Sequence, residues 1–152
     1  MVAVVFWHGF RIFSQMKRRV EEGSALELDF GKLDSVSGCV PVAVQRIDTR
    51  DVVLVAYTNE AAMRVAFAKR RLVLWSTSRN ALWEKGDTSG ARFELVEAYV
   101  NCEQNSLLYL VRPAAESKAP GMCHTSNSRG EPRNCFYRKI DMDTMVLTNV
   151  DP

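Results

Sequence analysis

Val40 to Trp75 reads VPVAVQRIDTRDVVLVAYTNEAAMRVAFAKRRLVLW, and its changes of period decide the fold. VPVAVQRI and VVLVAY are β-branched runs separated by the polar tetrapeptide DTRD, a pattern that predicts two strands joined as a hairpin. After Tyr57 the period lengthens. In TNEAAMRVAFAKRR, Ala62, Met63, Ala66 and Phe67 fall on one helical stripe. Thr58 or Asn59 is placed to cap the start, and Lys69 to Arg71 suit the negative end of the helix dipole. LVLW then returns to extended chain. Further strands are predicted over Phe93 to Val100, over LLYLV, and over CFYRKI as a closing strand. Pro113 to Asn134, rich in Gly, Pro, Ser, Asn and charge, reads as a long loop. The fold class is α+β, mostly β, with one main helix.

The rest of the chain bounds what this domain does. At 152 residues it is one domain, or one domain with a short appendage, long enough for a real core. Apolar residues make up 47% and charged residues 25%, as in ordinary globular proteins. A net charge of +2 is too small to argue for nucleic acid or an anionic membrane as partner. No apolar run reaches the roughly 20 residues of a membrane helix. MVAVVFWHGFRIFSQ at the amino end lacks a basic residue ahead of its apolar part and a small-residue cleavage site. A second methionine, Met16, opens an ordinary-looking start, so residues 1–24 read as an extension and 25–152 as the domain. An amphipathic anchor built on Phe6, Trp7, Phe10 and Phe13 is the alternative reading of that extension. The expected location is the cytoplasm, where free thiols persist and cysteines more often hold metal than pair.

Chemistry concentrates in the cysteines. In YVNCEQNSLLYLV, Cys102 lies in a polar turn between two apolar runs. Side chains of extended chain alternate between faces, so Asn101 and Glu103 project to one side, with Asn105 if the phase continues, and Cys102 to the other. GMCHTSNSRGEPRNCFYR carries Cys123 and Cys135 at the ends of a polar segment, with His124 beside the first. Three thiols are the number of protein ligands in a catalytic zinc site, which leaves a fourth position for water. The Cys123 to Cys135 spacing is wider than in zinc ribbons or knuckles, and a disulfide between them is a competing reading. Cys39, in the apolar run VSGCVPV, reads as core. A second polar cluster, WSTSRNALWEKGDTSG from Trp75 to Gly90, joins tryptophans to hydroxyls, Arg79, Lys85 and glycines in one connection. Such a connection suits an anion and a planar ring, or is a solvated loop pinned by its tryptophans.

VAYTNEAAM, LWSTSRNALWEKGDTSG, NCEQNSLLYLV, MCHT and NCFYR occur in the order and approximate spacing of the phosphoribosyl-AMP cyclohydrolase family, which the chain resembles from about Leu28 to Ile140. The resemblance implies a pseudo-barrel of antiparallel strands capped by one helix, in an intertwined homodimer. It implies hydrolytic opening of the adenine ring of phosphoribosyl-AMP, between N1 and C6, in histidine biosynthesis. Cys102 of one subunit and Cys123 and Cys135 of its partner match the zinc ligands. Zinc then activates water for attack at C6, with His124 as the proton-transfer group. Trp75, Ser76, Ser78, Arg79, Trp83, Lys85, Thr88 and Ser89 match the substrate loop.

Two departures stand out. The family's turn carries three aspartates that bind magnesium, and here those positions are Asn101, Glu103 and Asn105. Magnesium depends on carboxylate charge, so it is expected to bind this turn much more weakly. The segment between Cys123 and Cys135 is longer than usual around NSRGEP, either reshaping the mouth of the site or adding harmless surface. Asp141 and Asp143 would replace lost carboxylates only if the last strand passes the turn; otherwise they are a solvated turn. The leading expectation is the family's zinc-dependent hydrolysis. The alternatives are a paralogue acting on another purine-like or cyclic amidine substrate, and a non-catalytic zinc domain that binds a nucleotide.

Overall fold

The computed structural model of the chain describes Leu28, Phe30 and residues 38–118 and 121–152; the extension assigned to residues 1–24 lies outside them. β1 (Val40–Arg46) and β2 (Val52–Thr58) form the expected antiparallel hairpin, with Val42 opposite Ala56. Val40, Val42 and Val44 are buried while their strand neighbours are only half-buried, the period of two that sets one face against a core. α1 (Glu60–Lys69) starts at Asn59, whose side chain accepts the Ala62 amide proton at 2.9 Å. It ends at Arg70, a left-handed residue at φ 53°. Ala62, Met63 and Ala66 are buried, and the Phe67 ring packs on Tyr109 with centroids 6.0 Å apart.

β3 (Val73–Ser76), β4 (Ala81–Glu84), β5 (Phe93–Val100) and β6 (Leu107–Pro113) complete a six-stranded sheet of order β4-β3-β2-β1-β6-β5. The far edge turns back on the chain. The Leu95 amide donates to the Arg70 carbonyl at 3.1 Å, and the Leu72 amide to the Phe93 carbonyl at 3.1 Å. The sheet is thereby curled into a half-barrel, its interior filled from β1, β3, β5 and β6 and by Met63 and Ala66 of the helix.

Three expectations need correcting. The strands are not all antiparallel: β1 and β6 run parallel, with Val42 opposite Leu107 and Val44 opposite Tyr109. The connection from Trp75 to Gly90 contains a strand, β4, which pairs Trp83 with Leu74. Of CFYRKI only Arg138–Ile140 is extended; as β7 it pairs with β8 (Leu147–Asn149) in a separate, fully exposed two-stranded sheet. Among the described residues, no helix is long and apolar enough to cross a membrane.

Tyr109, fully buried at the centre of β6, brings a hydroxyl into this core. That hydroxyl faces Thr58, but the Thr58 proton is directed to the Asn59 carbonyl at 3.3 Å, and among the described residues Tyr109 Oη makes no hydrogen bond of good geometry. Burial pushes the phenol up from 10.0 to about 12. A tyrosine raised in the folded state contributes stability that is complete below pH 10 and is lost as pH rises toward 12. Tyr109→Phe is therefore expected to flatten the decline of stability between pH 10 and 12, measured as urea midpoints against pH. At neutral pH it should leave stability unchanged or raise it by up to about 1 kcal/mol, because the buried oxygen has no bond to lose.

Candidate functional site

β5 is buried only in its first half. Phe93 and Leu95 face the core, and a bulge between Leu95 and Glu97 precedes four exposed residues, Glu97 to Val100. The outer half of the β5–β6 hairpin thus forms an arm, and its tip is the polar turn Asn101 to Ser106. Asn101 organises the tip. Its Oδ1 accepts the amide protons of Asn105 (2.9 Å) and Ser106 (3.0 Å), and its Nδ2 donates to Asn105 Oδ1 (2.9 Å). Asn105 Nδ2 in turn donates to Glu103 Oε2 at 2.9 Å. Gln104, at φ 51°, is buried at 4% exposure, while Cys102 is exposed. The three positions expected to share a face are thus brought together by their own amides. Their side-chain oxygens already accept protons, and a single carboxylate remains. This donor set does not fit magnesium.

Cys123 and Cys135 are far apart in sequence and adjacent in space. The segment between them doubles back around Asn127, which is 8% exposed. Asn127 Oδ1 accepts the amides of Arg129 (3.1 Å) and Glu131 (2.9 Å), and Nδ2 reaches Asp151 at 3.1 Å. A ladder of the Cys123 amide to the Arg133 carbonyl (2.7 Å) and of the Arg133 amide to the Thr125 carbonyl (3.4 Å) then brings the two thiols close enough to shift each other's ionisation. The longer loop is an ordered turn, tied to the carboxyl end. The Cys135 amide also donates to the Val53 carbonyl of β2 at 3.3 Å, which fixes the pair against the sheet.

The pair is electrostatically uneven. Burial works against ionisation of Cys123, but the Thr125 side chain (3.1 Å) and backbone, Cys135 and the His124 amide outweigh it, and its pKa falls below the ordinary thiol value. Cys135 is pushed up to about 11, by burial first and then by Cys123; Lys85 opposes the rise. Lys85 itself is 7% exposed, and burial lowers its pKa while the two thiols raise it. His124 is exposed, its Nδ1 4.0 Å from Cys123 Sγ. Two adjacent thiols, one eased toward ionisation and both near a buried cation, fit a thiophilic divalent ion such as zinc. Among the described residues, no three His, Cys, Asp or Glu side chains of one chain gather into such a site. All four cysteines are free thiols, and Cys39 is core at 2% exposure, as expected. Asp141 accepts the amides of Asp143 and Thr144 in the β7–β8 turn, so it serves that turn and not the arm.

A cleft of ≈ 320 Å³ opens where β2, β3 and β4 meet, lined by Ala56, Tyr57, Trp75, Ser76, Thr77, Ser78, Arg79 and Trp83. Five residues expected at the substrate are here: Trp75, Ser76, Ser78, Arg79 and Trp83. Lys85, Thr88 and Ser89 are not. Lys85 is buried toward the thiols, and Thr88 and Ser89 are exposed on the next turn, where Ser89 Oγ accepts the Ala91 amide. Tyr57 was missed; its signal was register, since a β2–β3 hairpin around α1 sets it opposite Trp75. Arg79 lies over the Trp83 ring, 6.0 Å from its centroid, and donates to Ser76 Oγ at 3.2 Å.

β4 links the two regions: Trp83 lines the cleft, and two residues on, just past the strand's end, Lys85 interacts electrostatically with the thiols. β2 does the same with Tyr57 and Val53.

Comparison with known proteins places the chain in a family. Residues 54–137 match the sequence profile described as phosphoribosyl-AMP cyclohydrolase, a span from β2 to the end of the thiol loop. Proteins named phosphoribosyl-AMP cyclohydrolase are similar along most of their length. The one from Halobacterium salinarum is 40% identical over 131 residues, 84% of this chain and 93% of the relative. The one from Archaeoglobus fulgidus is 36% identical over 118 residues, 78% and 96% respectively. That of Sphingopyxis alaskensis is 39% identical over 107 residues, 70% and 77%. The chain belongs to the phosphoribosyl-AMP cyclohydrolase family, a family of hydrolytic enzymes.

Proposed function

We propose that the chain hydrolyses phosphoribosyl-AMP in histidine biosynthesis, opening the adenine ring between N1 and C6. The observation that carries this reading is the linkage just described, an aromatic, hydroxyl- and guanidinium-lined cleft joined by two strands to a thiol pair. Tyr57, Trp75 and Trp83 offer flat faces to a base, and Arg79 with Ser76 and Ser78 offers donors to phosphate oxygens.

Cys123 and Cys135 would hold zinc with Cys102 of a second copy. Three features support that pairing. Cys102 is exposed at the tip of an arm that also exposes Tyr99 and Val100, and Phe136 beside Cys135 is exposed as well. An arm of this kind buries its apolar residues when it meets another subunit. When bound, zinc supplies Lewis-acid activation of water near neutral pH. The water oxygen stays on C6 as the C6–N1 bond breaks, and His124 carries the released proton to N1.

Zinc-loaded protein should turn over phosphoribosyl-AMP, followed by ultraviolet absorbance, at a rate indifferent to added magnesium. Asn101→Asp, Glu103→Asp and Asn105→Asp together should introduce magnesium binding, measured by calorimetric titration. No turnover by a folded, zinc-bound dimer would redirect the substrate to other cyclic amidines. Cys102→Ser should lose zinc and dimerisation together, by metal analysis and sedimentation; a monomer that keeps its zinc rejects the shared site. His124→Ala should lower kcat by about 10²–10⁴-fold with zinc retained. Unchanged turnover would remove the proton-transfer role.

A further inference from the structure

Lys85 is the one substrate residue expected from the sequence that the fold turns inward. Its backbone is fixed on both sides. The Lys85 amide donates to the Leu72 carbonyl at 2.9 Å, and Gly86, at φ +95°, lies so close to the Ala91 carbonyl that a Cβ would sit 2.4 Å from its oxygen. Only glycine accepts both that dihedral and that contact. Lys85 is a buried residue, at 7% exposure, and among the described residues no carboxylate forms an ion pair with it. The neighbouring acids are engaged elsewhere, Glu84 with Lys69 at 3.1 Å and Asp87 with Arg92 at 3.2 Å. A buried ammonium without a counter-ion is costly, and proteins retain one where a negative charge arrives to meet it. The groups that interact electrostatically with Lys85 are Cys123 and Cys135.

We infer that Lys85 is a positioning residue for the metal site: it is the built-in counter-ion of the cysteine–metal cluster, not a phosphate ligand. Three thiolates around a divalent ion carry one net negative charge, and one lysine cancels it inside a half-buried pocket. Outer-sphere partners of this kind orient ligands and set metal affinity without touching the metal. This inference rests on the zinc reading above and deepens it. It also explains why Lys85 stands two residues from a cleft tryptophan yet does not line the cleft.

The test compares wild type with Lys85→Met, which keeps the chain length and removes the charge, and with Lys85→Arg, which keeps the charge. Zinc affinity is read by competition with a chromophoric chelator, and the melting temperature of the metal-free protein is read alongside. Lys85→Met should weaken zinc binding about 10–100-fold. Its metal-free form should melt at or above wild type, because an uncompensated buried charge is gone. Lys85→Arg should recover most of the affinity. Should Lys85→Met fail to fold, Lys85→Gln takes its place in both measurements. Wild-type zinc affinity in the Met or Gln variant overturns the inference, as does a metal-free variant that melts well below wild type, the mark of a merely structural lysine. A wild-type protein that binds no zinc overturns the metal site itself, a failure distinct from one confined to the lysine.

Discussion

The parallel pairing of β1 with β6 governs the rest of the molecule. An antiparallel neighbour is reached by a tight turn, as β2 is, but a parallel one requires the chain to travel back to the strand's starting end before it runs in the same direction again. Everything between Ile47 and Ser106 is that excursion, and everything chemical on it follows from its path. The helix covers the sheet on the way out, β3 and β4 frame the cleft, and the β5–β6 hairpin brings the chain home with its tip projecting beyond the core. The valines of β1, buried between both neighbours, are the fixed line against which these pieces are registered.

Much of this was legible because the signals are local. β1, β2 and α1 declare themselves by period and by an asparagine cap, and β5 and β6 by apolar runs on either side of a polar turn. β4 escaped notice because its four residues stand among hydroxyls, glycines and charges that read as loop. β7 was expected three residues too long and β8 was missed, because three-residue strands with no buried face leave no periodic mark. The parallel pairing is non-local, and no residue in either strand announces it. The same limit applies to the site. Ser76, Ser78 and Arg79 were grouped by composition and do lie together, but Lys85 has the same composition and a different fate, set by where β4 ends and how tightly Gly86 packs. The approach of Cys123 to Cys135 was read from the number of thiols, as a zinc site or a disulfide, and not from their spacing, because twelve positions of chain separate them and their approach depends on a turn around Asn127.

The turn at the tip of the arm shows how one short segment meets two demands. Asn101, Glu103 and Asn105 bond to one another while Cys102 stays exposed beside them, so the polar group and the thiol are separate features of one turn. Two amides and one acid hold one another and the turn backbone by hydrogen bonds, which is what a bound cation would otherwise enforce through carboxylates. The geometry of the tip is therefore intrinsic to the chain.

β5 is also the last strand of its sheet, and past Leu95 the described residues leave its outer edge unpaired. An open edge bearing Tyr99 and Val100 is a template for any extended chain that meets it, with Glu97 as its only charge. Such an edge makes the chain prone to self-association of the wrong kind, so that mild denaturation would threaten solubility before it threatened the fold.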